Sequence, residues 1–397
     1  MGEWNKCKLG KFIKIKHGYA FKGKYITTEE NDDILVTPGN FNIGGGFKNA
    51  KMKYFNGEYP AEYILKHNDI IVTMTDLSKE TDTLGYSAKV PKTDSKRYLH
   101  NQRIGLLQFK NNDIDKEFLY WLMRTRDYQG YIVGSASGTS IMHTAPSRIE
   151  DYTCTLPSLK EQKAIAEVLS SLDDKIDLLH RQNKTLEELA QTFFRQWFIE
   201  EAKDEWEVGT LEDIMEFNPT HSLKKGEMYP FLEMGNVQTF KSSVADWYER
   251  AFTSGTKFKN GDTLLARITP SLENGKTAYV DFLQNNEIGW GSTEFIVMRM
   301  KEDYHPFISY LIARNEDFRE FAIGNMTGST GRQRAQAKDI KKYEISIPPI
   351  EIIKKLNESI EYIPIKIKAN SKQIKTLENI RDTLLPKLMS GEVKFKL

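Results

Sequence analysis

The chain has 397 residues, enough for two or three domains with cores of their own, which excludes a small scaffold held together by metals or disulfides. Its 56 basic and 55 acidic residues leave a net charge of +1, so any attraction to nucleic acid must be local. Two cysteines are too few for a zinc cluster or a disulfide framework, and no stretch approaches the roughly 18 apolar residues of a membrane span.

The N-terminal residues lack the basic and then apolar leader of an exported protein, so we expect a cytoplasmic protein that makes no membrane contact. The first segment, 1–155, contains short β-rich runs, such as residues 34–37 and 70–73, separated by Gly, Asn and Pro. This pattern predicts a globular α/β domain with much strand.

The second segment, 156–205, switches to helical periodicity. From Ile165 to Trp197 its apolar residues recur in alternating steps of four and three, with Asn183 as one polar member of the series. A 3.5-residue repeat over four heptads predicts the seam of a coiled coil. An amphipathic helix packed separately on a core is the alternative, although it would show a broader apolar stripe.

The third and fourth segments, 206–348 and 349–397, repeat this plan. The third again contains short β-rich runs, and the fourth again has a helical seam, from Leu356 to Leu388, with Asn370 as a polar member. Pro364 lies within that second helix, where a proline removes a hydrogen bond, so we expect a bend there.

The two seam asparagines suggest how the helices pair. A buried asparagine is costly unless it meets a polar partner, and in coiled coils this cost fixes the register. If Asn183 faces Asn370 in an antiparallel pair, every seam residue meets another seam residue. A parallel pair would place both amides opposite apolar residues. We therefore predict antiparallel helices, with both asparagines at a solvated edge as the alternative.

Similar motifs recur in the two halves of the chain. Residues 134–138 and 324–328 both read Gly-x-x-x-Gly within polar loops, and Ile149 and Tyr152 recur 191 residues later as Ile340 and Tyr343. We therefore predict an α/β fold with a pseudo-twofold internal repeat. It consists of two β-rich globular domains separated by two long helices that form an antiparallel coiled coil.

The sequence contains no convincing catalytic, cofactor or metal motif. Gly275-Lys276-Thr277 resembles the end of a phosphate-binding loop, but Pro270 occupies the position of the required glycine. The histidines lack metal-ligand spacing, and adjacent acidic pairs such as Asp173-Asp174 are interpreted as solvated surface. These patterns predict a chain that is not an enzyme and that holds neither metal nor cofactor.

Polar loops at matching repeat positions are candidates for DNA contact, because Arg and Gln suit base edges and hydroxyls and Lys suit phosphates. In the second globular segment these residues are Arg267, Thr269, Ser271, Asn274, Lys276, Arg332, Gln333, Arg334 and Lys338. In the first they are Thr75, Ser78, Lys79, Ser137, Thr139, Ser140 and Arg148. Ordinary surface loops are the alternative, but the paired arrangement favours DNA. Of the two globular segments, only 1–155 carries a net positive charge.

Several motifs in order resemble those of specificity subunits of type I restriction–modification systems. Residues 137–141 and 156–166 are similar to the family's junction between target-recognition domain and spacer helix. Residues 264–276, 291–295 and the ending 384–393 are similar to other family motifs. The resemblance covers essentially the whole chain, although the second junction lacks the Glu-Gln pair of the first.

The resemblance implies that each globular domain reads one part of a bipartite site in double-stranded DNA. It also implies that the helices set the spacing and dock two modification subunits, which carry S-adenosylmethionine and methylate adenine. Restriction subunits that cleave and translocate DNA can join the complex. Two other classes remain: a methyltransferase fused to its specificity part, which would need a cofactor motif, and a protein-interaction scaffold without a DNA role.

The matching loops of the two globular segments carry different side chains. One set contains hydroxyls, and the other contains Arg267, Asn274, Arg332 and Gln333. We therefore expect the two segments to read different half-sites.

Overall fold

The computed structural model describes residues 4–50, 52–76, 78, 80–139, 141–203, 205–329 and 331–394. The chain forms two compact units. Unit 1 comprises Met1–Lys175 and Leu377–Leu397, and unit 2 comprises Ile176–Thr376. Each unit therefore combines one globular segment with parts of both helical segments.

In its described residues unit 1 forms two main sheets. Its strands are β1 (Asn5–Lys8), β2 (Ile13–His17), β3 (Ile26–Thr27), β4 (Asp33–Val36), β5 (Lys53–Phe55), β6 (Ile64–Leu65), β7 (Ile70–Thr73), β8 (Thr75–Asp76), β9 (Ser87–Lys89), β10 (Arg97–His100), β11 (Ile104–Phe109), β12 (Met142–His143) and β13 (Thr153–Leu156). One sheet is antiparallel, in the order β2-β11-β7-β9. The other has the order β3-β5-β4-β10-β6, in which β4 and β10 run parallel.

Strand β7 explains how the two sheets form one globule. Side chains alternate between the faces of a strand, and here both faces are apolar. Ile70 and Val72 join a core that contains helix residues such as Phe118, whereas Ile71 joins a core with Ile34 of the five-stranded sheet. Burying each such aliphatic side chain contributes about 1.5–3 kcal/mol, so the strand holds the layers together.

In the described part of unit 1 the globule also contains the short α-helices α1 (Lys116–Leu122), α2 (Arg126–Gly134) and α3 (Pro146–Asp151). Asp115 caps α1 and Thr125 caps α2, since their side chains accept hydrogen bonds from the backbone N–H groups of Phe118 and Tyr128. These caps satisfy donors that the first helical turn leaves unpaired.

The first and last strands of this globule pair with each other. β1 and β13 are antiparallel, with Cys7 opposite Cys154, and both cysteines are free thiols. The strand that begins the globule is therefore hydrogen-bonded to the strand that leads into the long helix.

Unit 2 repeats this topology. Its strands are β14 (Glu207–Thr210), β15 (Met215–Phe217), β16 (Met228–Leu232), β17 (Tyr248–Ala251), β18 (Thr256–Phe258), β19 (Thr263–Ala266), β20 (Thr277–Tyr279), β21 (Gly289–Gly291), β22 (Phe295–Met300) and β23 (Glu344–Ile347). The sheet β15-β22-β19-β20 corresponds to β2-β11-β7-β9, and the pair β14–β23 corresponds to β1–β13. The internal repeat predicted from the sequence is confirmed in this strand order.

The core of unit 2 is built in the same way. The second sheet has the order β17-β16-β21-β18, and β19 lies between two apolar layers. Leu264 joins the layer with this second sheet, and Leu265 joins the layer with the helices. The short helices are α5 (Leu211–Ile214), α6 (Ile308–Arg314), α7 (Glu316–Gly324) and α8 (Ala337–Ile340).

Both predicted long helical segments are present. Helix α4 (Leu159–Arg195) continues as one π-helical stretch, Gln196–Glu200. The C-terminal segment forms α9 (Ile350–Ile360) and α10 (Tyr362–Met389). The interruption therefore lies at Glu361, and Pro364 occupies the first turn of α10, where its missing N–H would have no helical partner.

Within unit 2 the helices run antiparallel. Asn370 Nδ2 donates a hydrogen bond of 2.8 Å to Asn183 Oδ1, and the Lys355 ammonium lies 4.7 Å from the ring centroid of Trp197. Residues later in α4 thus meet residues earlier in the C-terminal segment. Asn183 Nδ2 also donates to Ser371 Oγ at 3.2 Å, so the amides have polar partners inside the seam.

Within unit 1, Asp173 of α4 connects the helices to the globule. Its carboxylate accepts hydrogen bonds from Arg124 Nη1 at 3.0 Å and from Arg381 Nη1 at 2.6 Å. Burial tends to raise the pKa of Asp173, but the two arginines lower it overall. The sequence interpretation of Asp173-Asp174 as solvated surface is therefore wrong for Asp173, while Asp174 is exposed.

Candidate nucleic-acid interface

In unit 2 three polar segments meet at the ends of β19 and β22. The N–H of Arg267 donates to the carbonyl of Glu294 at 2.9 Å, and the N–H of Ala335 donates to the carbonyl of Arg267 at 2.8 Å. The N–H of Thr269 donates to the carbonyl of Gln333 at 3.1 Å. The structure thus brings together the two candidate loops of this globule, 267–276 and 331–338.

Arg334 has an intramolecular partner that the sequence did not indicate. Its Nε and Nη2 atoms donate to both oxygens of Glu294 at 2.8 to 3.0 Å, and Nη1 donates to the carbonyl of Arg332 at 3.2 Å. Its hydrogen bonds to Glu294 raise the pKa of Arg334. Most of the guanidinium donors are therefore engaged, so this arginine positions the loop in the free chain.

Arg267 and Thr269 line the interior of the same junction. Arg267 Nη2 donates to Gln336 Oε1 at 2.8 Å. Arg267 Nε and Thr269 Oγ1 are buried without a hydrogen-bond partner in the part of the chain that the structure describes. Buried polar atoms without partners are unusual, and here they lie directly beneath the candidate loops.

The remaining candidates of unit 2 differ in accessibility. Asn274, Arg332 and Lys338 are exposed, whereas Ser271 and Gln333 are half-buried. Lys276 Nζ donates to the carbonyl of Met234 at 2.8 Å, which holds its ammonium near the backbone. The side chains available for outside partners are therefore mainly the three exposed ones.

Unit 1 joins its loops in the same pattern. The N–H of Met74 donates to the carbonyl of Arg103 at 2.9 Å, and the N–H of Thr144 donates to the carbonyl of Met74 at 3.0 Å. Strand β8 pairs with β12 next to this junction, and Ser137 forms a bridge to His143. The backbone thus places Arg103 where unit 2 has Glu294, and His143 where it has Arg334.

The candidate Thr75 and its neighbour Asp76 belong to the support of the unit 1 loops. Thr75 is 3% exposed, and its hydroxyl lies 3.0 Å from His143 Nδ1. Asp76, 1% exposed, accepts hydrogen bonds from the N–H groups of Ser78 and Thr83 and from the Thr83 hydroxyl, at 2.6 to 2.7 Å. These bonds lower the pKa of Asp76 although burial opposes them. Asp76 therefore closes the turn that carries Ser78.

Other unit 1 candidates lie on the surface. Ser137, Thr139 and Arg148 are exposed, the last of them on α3. Lys79 and Ser140 lie outside the described residues.

Sequence reasoning missed Arg103 and His143, which are exposed at the two junction positions. A signal for them existed. Arg103 lies 191 residues before Glu294, and His143 lies 191 residues before Arg334, the same spacing that separates Ile149 from Ile340.

The described residues show no group of three or more His, Cys, Asp or Glu side chains arranged to hold a metal ion. No helix in the same part of the chain is long and apolar enough to cross a membrane.

A family model described as type I restriction modification DNA specificity domain matches residues 1–188 and 203–379. The chain belongs to this family. Each segment matched by the DNA specificity domain contains one of the loop junctions described above. This chain of the DNA specificity domain family therefore carries two equivalent junctions with different polar side chains.

Relatives within the DNA specificity domain family support the match along the chain. The type I restriction enzyme MjaIX specificity subunit of Methanocaldococcus jannaschii is 28% identical over 302 residues, which is 70% of this chain and 69% of that protein. The MjaVIII specificity subunit of the same organism is 21% identical over 418 residues, covering 99% and 94% of the two chains.

Among solved structures, the S subunit of a type I restriction-modification system from M. genitalium matches with a TM-score of 0.58 and 18% identity. The match covers 97% of this chain and 96% of that one. At this identity the likeness shows that the two members share a fold.

Proposed function

We propose that this chain directs a type I restriction–modification complex to a bipartite DNA sequence and is itself not an enzyme. One observation carries the proposal: two repeated units present equivalent three-segment junctions whose polar side chains differ. A repeated scaffold with different reading groups is suited to an asymmetric target in two parts. Membership of the DNA specificity domain family supports this assignment.

In unit 2 the exposed Arg332 and Asn274 are the candidates for base contact, since Arg suits guanine and Asn suits adenine. Lys338 is a candidate for phosphate contact. The Glu294–Arg334 pair holds the loop that carries Arg332. Gln333, half-buried in the same loop, is a further candidate for contact with adenine.

In unit 1 the candidates for base contact are Arg103 and His143, together with the exposed hydroxyls of Ser137 and Thr139. The Thr75 hydroxyl holds the His143 ring, and Asp76 holds the turn that carries Ser78. Arg148 and the positive charge of segment 1–155 favour approach to the phosphate backbone.

The partners in this proposal are double-stranded DNA, two modification subunits and, in the full complex, restriction subunits. S-adenosylmethionine binds to the modification subunits, which methylate the DNA that this chain selects. The helices α4, α9 and α10 set the spacing between the two reading units and dock the modification subunits. The curated relatives are named as specificity subunits of type I restriction enzymes, which agrees with this division of labour.

The proposal is tested by co-expressing the full chain with its modification subunits and mapping methylated bases in the host genome. Replacing residues 206–348 with the matching segment of a relative should change one half of the methylated sequence. Replacing 1–155 in the same way is the matched control and should change the other half. Alteration of both halves by one exchange would refute the modular mechanism, and absence of methylation with every chain would refute the function.

A further inference from the structure

A phenylalanine in unit 2 is held in an unusual backbone conformation at the surface. Phe240 has φ of +56° and is 46% exposed. A bulky residue in the left-handed region is a genuine outlier, and such strain persists only where surrounding structure imposes it. Outliers of this kind concentrate at ligand sites.

The structure shows what imposes the conformation of Phe240. On one side Thr239 forms a bridge with Lys276, and the Phe240 N–H donates to the carbonyl of Gly275 at 3.1 Å. On the other side Ser242 is buried, and its N–H and hydroxyl donate to Glu187 at 2.8 and 2.6 Å. Helix α4 thus fixes one end of the turn, and the candidate loop 267–276 fixes the other.

Two arginines share the Phe240 ring. The guanidinium carbons of Arg314 and Arg319 lie 4.6 and 4.9 Å from its centroid. Burial lowers the pKa of Arg319, and the charge of Arg314 lowers it further. Among the described residues neither arginine forms a salt bridge; the nearest acidic groups are Glu316, which acts on Arg319 only through its charge, and Glu187, which accepts a hydrogen bond of 3.0 Å from the Tyr310 hydroxyl.

Both arginines have unused hydrogen-bond donors. Arg314 Nη1 and Arg319 Nε are buried without a partner in the described part of the chain. Unit 1 differs at the equivalent place: Arg124 also precedes the N-cap of its second helix, but it is paired with Asp173. Among the described residues Arg314 therefore lacks the direct ion pair that Arg124 makes in unit 1.

The arginine pair lies beside the candidate reading loop. Arg319 Nη2 donates to the carbonyl of Glu273 at 3.0 Å, one residue before the exposed Asn274. A Cβ at Gly275 would meet the Phe240 ring, so loop and aromatic are in direct contact. A DNA strand that met Asn274 would bring a phosphate close to the Arg319 guanidinium, which shares the Phe240 ring with Arg314.

We propose that Arg314 and Arg319, held on the ring of Phe240, bind a phosphate of the DNA backbone next to the bases read by unit 2. This inference rests on the proposed function. Guanidinium forks match phosphate oxygens in a bidentate manner, and one phosphate would relieve the repulsion between the two cations. Because ring and backbone already hold the arginines, little side-chain freedom would be lost on binding.

The test uses the full chain in complex with its modification subunits and two duplexes, one with the mapped target sequence and one scrambled. Arg319→Gln should weaken binding about tenfold on both duplexes, because a phosphate contact carries no base information. The slope of log affinity against log salt concentration should become shallower by about 1. Arg319→Lys keeps the charge and should restore most of the slope.

Arg250→Gln is the matched control. Arg250 also lies over an aromatic ring of unit 2, 4.6 Å from the centroid of Phe231, on strand β17. Its replacement should leave affinity and salt slope unchanged. Thermal unfolding of each complex shows whether the variants fold. If Arg319→Gln does not fold, Phe240→Leu tests the same site, because it removes the ring that holds both arginines.

Neutral methylphosphonates placed singly along the target duplex identify the contacted phosphate. One position should weaken the wild-type complex and have no effect on the Arg319→Gln complex. Equal effects in both complexes, or an unchanged salt slope in the variant, would overturn the phosphate site and leave the proposed function standing. A wild-type complex that binds neither duplex would overturn both.

Inorganic phosphate distinguishes a backbone site from a site for free phosphate. At matched ionic strength it should not raise the melting temperature of the wild-type complex relative to Arg319→Gln. A phosphate-specific increase would assign the arginine pair to a free anion and overturn the DNA contact.

Discussion

Glu294 accepts three hydrogen bonds from Arg334 and so ties the start of β22 to the loop that carries Arg332. The Arg334 side chain is 38% exposed, so the pair contributes little to stability by itself. The Glu294–Arg334 pair matters because it fixes the position of the loop that carries Arg332.

We expect Glu294→Gln to change the methylated sequence in the unit 2 half-site without a measurable loss of stability. The amide keeps one acceptor oxygen but cannot hold both donors of the guanidinium fork. Methylation mapping and thermal unfolding measure the two effects. Glu212→Gln, which removes a similarly exposed ion pair with Lys341, is the control and should change neither. An unaltered methylation pattern with Glu294→Gln would count against a positioning role.

Asp173 supplies the second prediction. Asp173→Ala should lower the free energy of unfolding by about 3 kcal/mol, because it leaves Arg124 buried without its carboxylate. Asp174→Ala, at the exposed neighbouring position, should change it by less than about 0.5 kcal/mol. Unfolding in urea measures the free energy of unfolding of both variants and of the wild type. Equal effects of the two substitutions would show that the Arg124 contact is not what stabilises unit 1.

The same carboxylate predicts a response to acid. The pKa of Asp173 is below its ordinary value of 3.8 in the folded chain, so its contribution is present at neutral pH. That contribution should be lost as the pH falls below about 4 through the folded pKa. The difference in stability between wild type and Asp173→Ala should therefore shrink in acid. A difference that stays constant down to pH 2 would contradict the assigned pKa shift.

His100 predicts a loss of stability at a higher pH. It is fully buried, Nε2 donates to the carbonyl of Ile104 at 2.8 Å, and Nδ1 has no partner among the described residues. Burial lowers its pKa from 6.5 to about 4. The folded state therefore favours the neutral ring. About 3 kcal/mol of the free energy of unfolding should be lost as the pH falls from 6.5 to 4, because the ring is protonated more readily in the unfolded chain.

Unfolding curves between pH 7 and pH 4 test this assignment. His100→Gln should be less stable at pH 7 and should lose less stability towards pH 4 than the wild type. His67→Gln, at an exposed histidine, should keep the wild-type pH dependence. Parallel pH profiles for wild type and His100→Gln would refute the assignment of this pH dependence to His100.

The helix seam supplies a cross-linking prediction. In a background with Cys7→Ser and Cys154→Ser, the double variant Asn183→Cys with Asn370→Cys should form a disulfide, because the two side chains are already in contact. Non-reducing electrophoresis after proteolysis measures the link. Asn183→Cys with Ile374→Cys is the control, and preferential cross-linking of that pair would contradict the register.

The fold predictions that rested on the regular spacing of apolar residues were the most accurate. The seam from Ile165 to Trp197 and the recurring strand patterns depend on the regular spacing of apolar residues, which a sequence displays directly. The Asn183–Asn370 contact followed from the same spacing. The bend was predicted at Pro364, whereas the helix is interrupted at Glu361. The first turn of a helix accommodates a proline, and the sequence does not show where that turn begins.

The candidate site was less predictable because its side chains find partners from distant parts of the chain. Nothing near Arg334 in the sequence indicates Glu294, which lies 40 residues earlier. Thr75 looks like a free hydroxyl until β8 pairs with β12 and buries it. The arginines around Phe240 come from α6 and α7, which no local motif connects to that turn.

The paired strands β1–β13 and β14–β23 have a consequence for how such chains diversify. Opposite residues of an antiparallel pair lie about 5 Å apart, so the second globule leaves one helical segment and enters the next at nearly one point, and the first globule begins beside the strand that leads into α4. Two genetic crossovers in the codons of β14 and β23 would exchange everything between them while preserving the length and phase of both helices. A lineage could thus acquire a new half-site by inheriting one intact block, without passing through intermediates that recognise neither sequence.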